Sequence, residues 1–409
     1  MDGCNELYQN KICGGMRNMS RVSIRELGRV ITGNTPSKNN YEFFSSNDIF
    51  FIKPDIISDK KITYIKSTNE FISEKARSKA RIIENNAVLV TCIGSIGKIC
   101  IVKDGEFAFN QQINAIEPNG KVSVDYLAYC LLYNKSRLIH IANAPVVPII
   151  NKTQFENFQI NITDDREEQN RIVEILNLIS SVIEMEKRQL GQLDKLIKAR
   201  FVEIFGDPVS NPYGWDIVAF DDCLENIENG KSFVCDSMAR VDERPAILKL
   251  SAATYGVYKP EENKAIINEE DFVESAEVHA GDLLFTRKNT PELVGMAVYV
   301  ESTPKKLMMP DLIFRLNTKA NCNKIFLWKL INHDLYRSQI EGVASGSAKS
   351  MSNISKERLG KLRFPLPPLE LQEQFADFVH QTDKSKLEVQ KALDETQLLF
   401  DSLMQQYFG

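Results

Sequence analysis

Two stretches of this chain share one plan, and that repetition limits the folds open to it. Residues 164–206 open DDREEQNRIVEIL and close FVEIFG; residues 367–409 open PPLELQEQFADFV and close MQQYFG. Both stretches are 43 residues long and align without a gap at an offset of 203. Glu167 falls on Glu370, Gln169 on Gln372, Leu190 on Leu393, Leu196 on Leu399, Phe205 on Phe408 and Gly206 on Gly409. Each stretch follows a longer segment of mixed character. The chain therefore reads as a duplicated two-part device, because a period near 200 residues is far too long for a stacked solenoid.

Both stretches carry a seven-residue apolar repeat. In the first, Leu176, Ile183, Leu190, Ile197 and Ile204 occupy the d positions, with Ile172, Ile179 and Leu193 at a. The second keeps the phase with Val379, Leu393, Phe400 and Tyr407 at d, and with Phe375, Val389 and Leu403 at a. Lys386, Thr382 and Thr396 interrupt it. A repeat of this kind predicts long helices that bury a seam on one another, as coiled coils do.

The intervening segments mix short strand-like runs (Ile49–Ile52, Ala87–Val90, Lys98–Val102, Ile113–Ile116) with turn residues and a helical stretch over Val124–Tyr133. That mixture predicts α+β domains. The second segment echoes the first: NAVLVT (86–91) corresponds to GDLLFT (281–286), and NKTQFENFQI (151–160) to NISKERLGKL (353–362). The expected organisation is a mobile tail over 1–20, a domain over 21–163, a spacer helix over 164–206, a second domain over 207–364 and a second spacer helix over 365–409. Domain termini usually lie close together, so the two helices should run antiparallel and give a pseudo-twofold molecule. A helix of about 40 residues rises about 60 Å, enough to act as a ruler between two domains.

Composition narrows the function classes. The net charge of −5 hides a division, with +5 over 21–163, −3 over 207–364, and −2 and −5 over the two helical stretches. Nucleic-acid affinity follows the charge of the contacting face and not the chain total. No run of 18 apolar residues occurs, and the N-terminal MDGCNELYQN has neither a basic start nor an apolar stretch, so the expectation is a cytoplasmic protein without a membrane span. The eight cysteines are scattered with no C-x-x-C, which argues against zinc and for free thiols in a reducing compartment.

Enzyme motifs are not found. GSIGK (94–98) has only two residues between its glycines, and Ile99 stands where a phosphate loop needs Ser or Thr. Pro54-Asp55 with Asp59-Lys60-Lys61 imitates a nuclease set, but these acids are too close in sequence to come from separate strands. Asn211-Pro212-Tyr213 lacks the second proline of the adenine-methyltransferase loop. The four histidines share no context that suggests a triad. The reading is a chain that catalyses nothing, holds no metal and carries no cofactor.

Binding groups remain. Lys75, Arg77, Lys79 and Arg81 alternate in SEKARSKARI, sharing a face if extended and spreading around it if helical. Ser95 and Lys98 lie in a glycine-flanked loop, suited to phosphate or simply to a turn. Arg287, Lys288 and Asn289 follow a strand directly, and Arg and Asn are the types that contact guanine and adenine edges bidentately. Ser347, Lys349 and Ser350 lie in SGSAKSMSN, a small-residue loop suited to phosphate contact.

Taken together, FGDPVSNPYGW (205–215), GDLLFTRKNTPELVG (281–295), PDLIFRL (310–316) and FPLPPLELQEQFADFV (364–379) resemble the DNA-specificity subunits of type I restriction–modification systems. ITGNTPS (31–37), VLVTCIGSIGKICIV (88–102) and EEQNRIVEIL carry the resemblance through the first half. Two departures stand out: Cys92 replaces a basic or polar residue, and FNQQINAI (109–116) lacks the Pro-Asp of the second half. The resemblance implies two target-recognition domains, each reading one half of a bipartite site in double-stranded DNA. It implies that the helices dock two modification (methyltransferase) subunits, which bring S-adenosylmethionine, and that restriction (motor–nuclease) subunits join them. On this reading the repeated Glu-x-Gln lead-in and aromatic-glycine ending present similar surfaces twice to those partners. The alternatives are a non-catalytic coiled-coil adaptor that binds protein but not DNA, and a fused enzyme.

Overall fold

A computed structural model of the chain describes residues 19–84, 86–142, 147–345 and 351–409. It divides into two compact units, one formed by the residues up to Glu186 with Ala392–Gly409, the other by Lys187–Lys391. Each unit takes about half of each long helix, so the first unit is built from two separate stretches of chain, while the second is continuous.

Both long helices have 40 residues, Arg166–Phe205 and Leu369–Phe408. The first ends where Gly206 turns to a φ of 78° while its N–H still bonds the Val202 carbonyl at 2.9 Å. A residue with a Cβ is strained in that left-handed conformation, and glycine is not. The second starts where the chain leaves Pro367-Pro368, and the Pro368 carbonyl accepts from Leu371 and Gln372.

In the first unit, Ile172 and Leu176 from the start of one helix share a core with Met404, Tyr407 and Phe408 from the end of the other. In the second unit, Ile197, Phe201 and Phe205 share a core with Phe375, Ala376 and Val379. Start meets end in both, so the helices pack antiparallel. Polar contacts agree with this: Lys386 Nζ pairs with Asp194 at 2.7 Å, and Thr396 Oγ1 donates to Glu186 at 3.4 Å.

The seam departs from a strict heptad. Ile172, Leu176, Ile179, Ile183 and Ile197 are buried as expected, as are Phe375, Val379, Leu393 and Tyr407. Leu190, Leu193, Ile204, Val389, Phe400 and Leu403 are only half-buried. Phe201, Phe205, Met404 and Phe408, outside the expected seam, are buried instead. An α-helix has 3.6 residues per turn, so its apolar stripe drifts off a seven-residue repeat unless a supercoil corrects it. Here the helix ends are held by the domains, and four-residue steps such as 197–201–205 face those cores.

The repeat extends through the domains strand by strand. The first unit pairs Met19–Ser23 antiparallel with Gln159–Thr163, and the second pairs Asp216–Ala219 with Arg363–Leu366. The first-unit strand begins at Met19, two residues inside the stretch read as a tail, because its backbone pairs with the strand that leads into the helix. The first unit's main sheet runs Gly28–Thr32, Ile113–Pro118, Ala87–Thr91, Ile99–Val102 and Thr63–Ile65. The second runs Leu224–Asn229, Ile313–Thr318, Leu283–Thr286 and Ala297–Tyr299. A smaller sheet in each contains a parallel pair, Ile49–Ile52 with Phe107–Phe109 and Ala246–Leu248 with Leu307–Met308.

Gln169 and Gln372 correct one expectation. Both side chains are fully buried. The Gln169 amide donates to the carbonyls of Lys121 and Thr163 at 3.0 and 2.8 Å, and that of Gln372 to those of Asn321 and Pro367 at 3.2 and 2.8 Å. Phe205 and Phe408 are buried as well. The shared lead-in glutamine and terminal aromatic are therefore internal fasteners between helix and domain, and do not form repeated surfaces. Each side-chain amide is itself buried, and leaving such a group without partners would cost about 1–3 kcal/mol.

Candidate nucleic-acid interface

In each unit three segments converge at one end of the main sheet, held by the same bonds. The first is the loop that opens with Gly33 or Gly230. Gly33 N–H bonds Ile113 and Asn34 N–H bonds Phe109, both at 3.0 Å; Gly230 and Lys231 bond Ile313 and Met309 at 3.3 and 2.9 Å. A Cβ on Gly33 would lie 2.2 Å from the Asn110 carbonyl oxygen, and one on Gly230 would lie 2.1 Å from that of Pro310. Only glycine permits this approach.

The second segment leaves the strands ending at Thr91 and Thr286. The Thr91 hydroxyl accepts from Lys98 N–H, and that of Thr286 from Met296 N–H, both at 3.0 Å. Gly97 and Gly295 bond back to the carbonyls of Thr91 and Thr286, both at 2.8 Å. The third segment is the turn at 110–112 or 310–312. Cys92 N–H bonds Gln112, and Arg287 N–H bonds Leu312, at 2.7 and 3.0 Å. Ile150 and Ile354 close the arrangement on the carbonyls of Cys92 and Arg287, at 2.9 and 2.8 Å. Cys92 thus occupies the backbone position of Arg287.

The candidate residues fall differently around these clusters. Glu74–Lys79 forms a short 3-10 helix, so the four alternating cations do not share an extended face. Arg77 is committed to carboxylates, pairing with Glu74, with Glu106 at 2.6 Å and with Glu84 at 3.8 Å. Its guanidinium holds the Glu106 carboxyl below the usual carboxylate range. Lys75 pairs with Glu42 at 3.1 Å. Lys79 and Arg81 are exposed, and the Lys79 carbonyl accepts from the Asn34 side chain at 2.5 Å, which sets it beside the glycine loop. Ser95 is exposed, whereas Lys98 turns onto the Pro54 carbonyl at 3.2 Å.

In the second unit the Arg287 guanidinium sits 4.9 Å from the centre of the Phe314 ring and donates to Asn353 Oδ1 at 3.3 and 3.4 Å. A stacked, half-buried arginine keeps its planar fork preorganised. Lys288 pairs through its backbone with Asn353. Asn289 is buried, donating to Thr254 Oγ1 at 3.1 Å and accepting from Thr290 N–H at 2.9 Å. Its amide fixes the loop and is not presented to solvent. Ser347, Lys349 and Ser350 lie outside the described residues. Sequence reasoning missed Thr35, Gln111, Ser232 and Asp311, which are brought together in these clusters. The signal was present, since Pro310-Asp311 aligns on Asn110-Gln111 at an offset of 200.

Among the described residues no group of His, Cys, Asp or Glu is arranged to hold a metal ion, and no helix is long and apolar enough to cross a membrane. The doubled α+β unit with its pair of long antiparallel helices is the fold of type I restriction–modification specificity subunits. The crystal structure of such a subunit from M. genitalium covers 97% of this chain and 98% of that one, with a TM-score of 0.58 at 12% identity, a likeness of fold alone. The chain belongs to the type I restriction modification DNA specificity domain family, whose sequence model matches residues 16–195 and 215–396. It is similar to the type I restriction enzyme EcoEI specificity subunit of Escherichia coli, 31% identical over 231 residues, and to the MjaIX specificity subunit of Methanocaldococcus jannaschii, 28% identical over 229 residues. These matches cover 54% and 51% of this chain but only 39% and 52% of those relatives.

Proposed function

We propose that this chain is the DNA-specificity subunit of a type I restriction–modification complex, each unit reading one half of a bipartite site in double-stranded DNA. The observation that carries this reading is the doubled loop cluster, one bonding scheme in both units with different side chains displayed on it. Identical scaffolds with different readers suit a target of two unlike halves. The chain itself performs no chemistry: two modification subunits supply S-adenosylmethionine and methylate adenine, and restriction subunits complete the complex. Lys79, Arg81, Ser95 and Lys288 contribute phosphate contacts, which set affinity and register and not sequence. Lys75, Arg77 and Lys98 act within the fold.

Coexpression with the modification subunit, followed by mapping of methylated bases, tests the reading. The expected result is a split motif with an unread spacer, and binding to that duplex well above binding to random duplex at the same salt. An assembled complex with no preference among duplexes would leave the adaptor reading standing. Turnover of S-adenosylmethionine by the isolated chain would remove the non-catalytic assignment.

Docking of the modification subunits is assigned to apolar side chains on the outer helix faces. Leu178 and Leu398 in the first unit are 66% and 70% exposed, and Leu196 and Leu387 in the second are exposed as well. Burying a leucine on association is worth about 1.5–3 kcal/mol. Leu178→Lys with Leu398→Lys should therefore weaken assembly by at least about tenfold, as read by native mass spectrometry, with the melting profile of the free chain unchanged. Normal assembly by the double variant would place the dock elsewhere.

A further inference from the structure

Position 111 in the first unit and position 311 in the second occupy the same place in the repeated cluster and carry different chemistry. Both side chains are exposed at the tip of the turn between the parallel strand and the main sheet. Both are held by a hydroxyl from the glycine loop. Thr35 Oγ1 donates to Gln111 Oε1 at 2.8 Å. Ser232 Oγ donates to Asp311 Oδ1 and accepts from the Asp311 N–H at 3.1 Å.

The turns beneath them are rigid. Asn110 bonds Gln112 through both halves of its amide at 2.9 and 3.0 Å, and at 310 a proline fixes φ. After these bonds each side chain retains defined capacity. Gln111 keeps its amide N–H groups and one lone pair on Oε1. Asp311 keeps Oδ2, and among the described residues no cation pairs with it.

We propose that positions 111 and 311 are equivalent base-reading positions, Gln111 directed to adenine and Asp311 to the exocyclic amine of cytosine. This rests on the DNA-reading assignment above. A glutamine with one free acceptor and its donors intact matches adenine N6 and N7 bidentately, and a carboxylate oxygen accepts from cytosine N4. An uncompensated carboxylate is repelled by phosphate, so on a DNA-facing surface the partner left to it is a base amino group. Thr35 and Ser232 are positioning residues, fixing the orientation of the reader. The absence of an arginine at Cys92 leaves Gln111 the larger share of recognition in the first unit.

The test uses the full chain coexpressed with its modification subunit. The wild-type motif is mapped first, followed by Gln111→Asp, Asp311→Gln, Thr35→Val and Ser232→Ala. Each reader swap should change the preferred base at one position of one half, by roughly 10- to 100-fold in relative methylation, and leave the other half unaltered. Thr35→Val and Ser232→Ala should relax the same positions without changing the preferred base, which keeps the inference testable if a swap disturbs the turn. Variants that keep the wild-type motif, or that weaken specific and random duplexes alike, would overturn it. A wild-type complex with no split motif would refute the functional reading itself, and that result is read from the wild-type arm alone.

Discussion

Replacing Arg287 with alanine will weaken binding to the target by about 1–3 kcal/mol and relax one half of it, leaving the other half read as before. The side chain stacks on Phe314 and is oriented by Asn353, so its fork is held in place before any ligand arrives. Arg287→Lys keeps the charge and loses the fork, and is expected to relax specificity nearly as much as alanine does. Asn353→Ala should have a smaller effect in the same direction, because it frees the guanidinium without removing it. The measurement is binding to a panel of duplexes with single substitutions in each half, at fixed salt. A phosphate contact would lower all affinities evenly and reduce the salt dependence, with Arg287→Lys close to wild type. Asn289→Ala belongs to a different class. Its amide is buried against Thr254, so the expected outcome is a destabilised loop and weaker binding to every duplex.

The two terminal phenylalanines should separate the stabilities of the units. Phe205 lies 4.9 Å from Phe201, 4.9 Å from Phe326 and 5.2 Å from Phe375 between ring centres, all within the second unit. Phe408 lies 5.5 Å from Tyr126 and 6.1 Å from Tyr133, within the first. Truncating a buried phenylalanine to alanine costs about 3–5 kcal/mol through lost transfer energy and the cavity left behind. That is a large fraction of the roughly 5–15 kcal/mol that holds a domain folded. Phe408→Ala should lower the transition of the first unit and Phe205→Ala that of the second, as read by calorimetry with limited proteolysis to assign each transition. Deleting the whole second helix would be less informative, because it removes core side chains from both units at once. Equal effects of both variants on one shared transition would mean that the units melt together.

Much of this was legible beforehand because it is written in local order. The strand at Ile49–Ile52 and the helix at Val124–Tyr133 fall where alternation and apolar spacing put them, and both long helices lie within a residue or two of their glycine and proline signals. The strands of NAVLVT and GDLLFT hold equivalent inner places in the main sheets of the two units. The site was less legible. Arg77 reads as a free cation in sequence, and only the fold brings Glu106 within 2.6 Å of it. Asn289 reads as a base reader until Thr254, 35 residues earlier, is found against its amide. Gln111 and Asp311 looked like a mismatch within a family motif, and the shared hydroxyl support became visible only when three loops met.

The sequence by itself determined the duplication, the antiparallel helices and the α+β class, because apolar period, capping residues and repeat offset are properties of neighbours along the chain. Tertiary structure alone decided what the shared motifs are for. Gln169 and Gln372 are invisible to solvent because each satisfies carbonyls delivered by a distant turn and by the strand exit. At the C-terminal ends of both helices burial moves off the heptad to Phe201, Phe205, Met404 and Phe408, because it is set there by a domain core whose shape no periodicity encodes. Whether a polar side chain is a fastener or a reader depends on which groups long-range folding leaves beside it, and the cost of an unpaired buried polar group enforces that division.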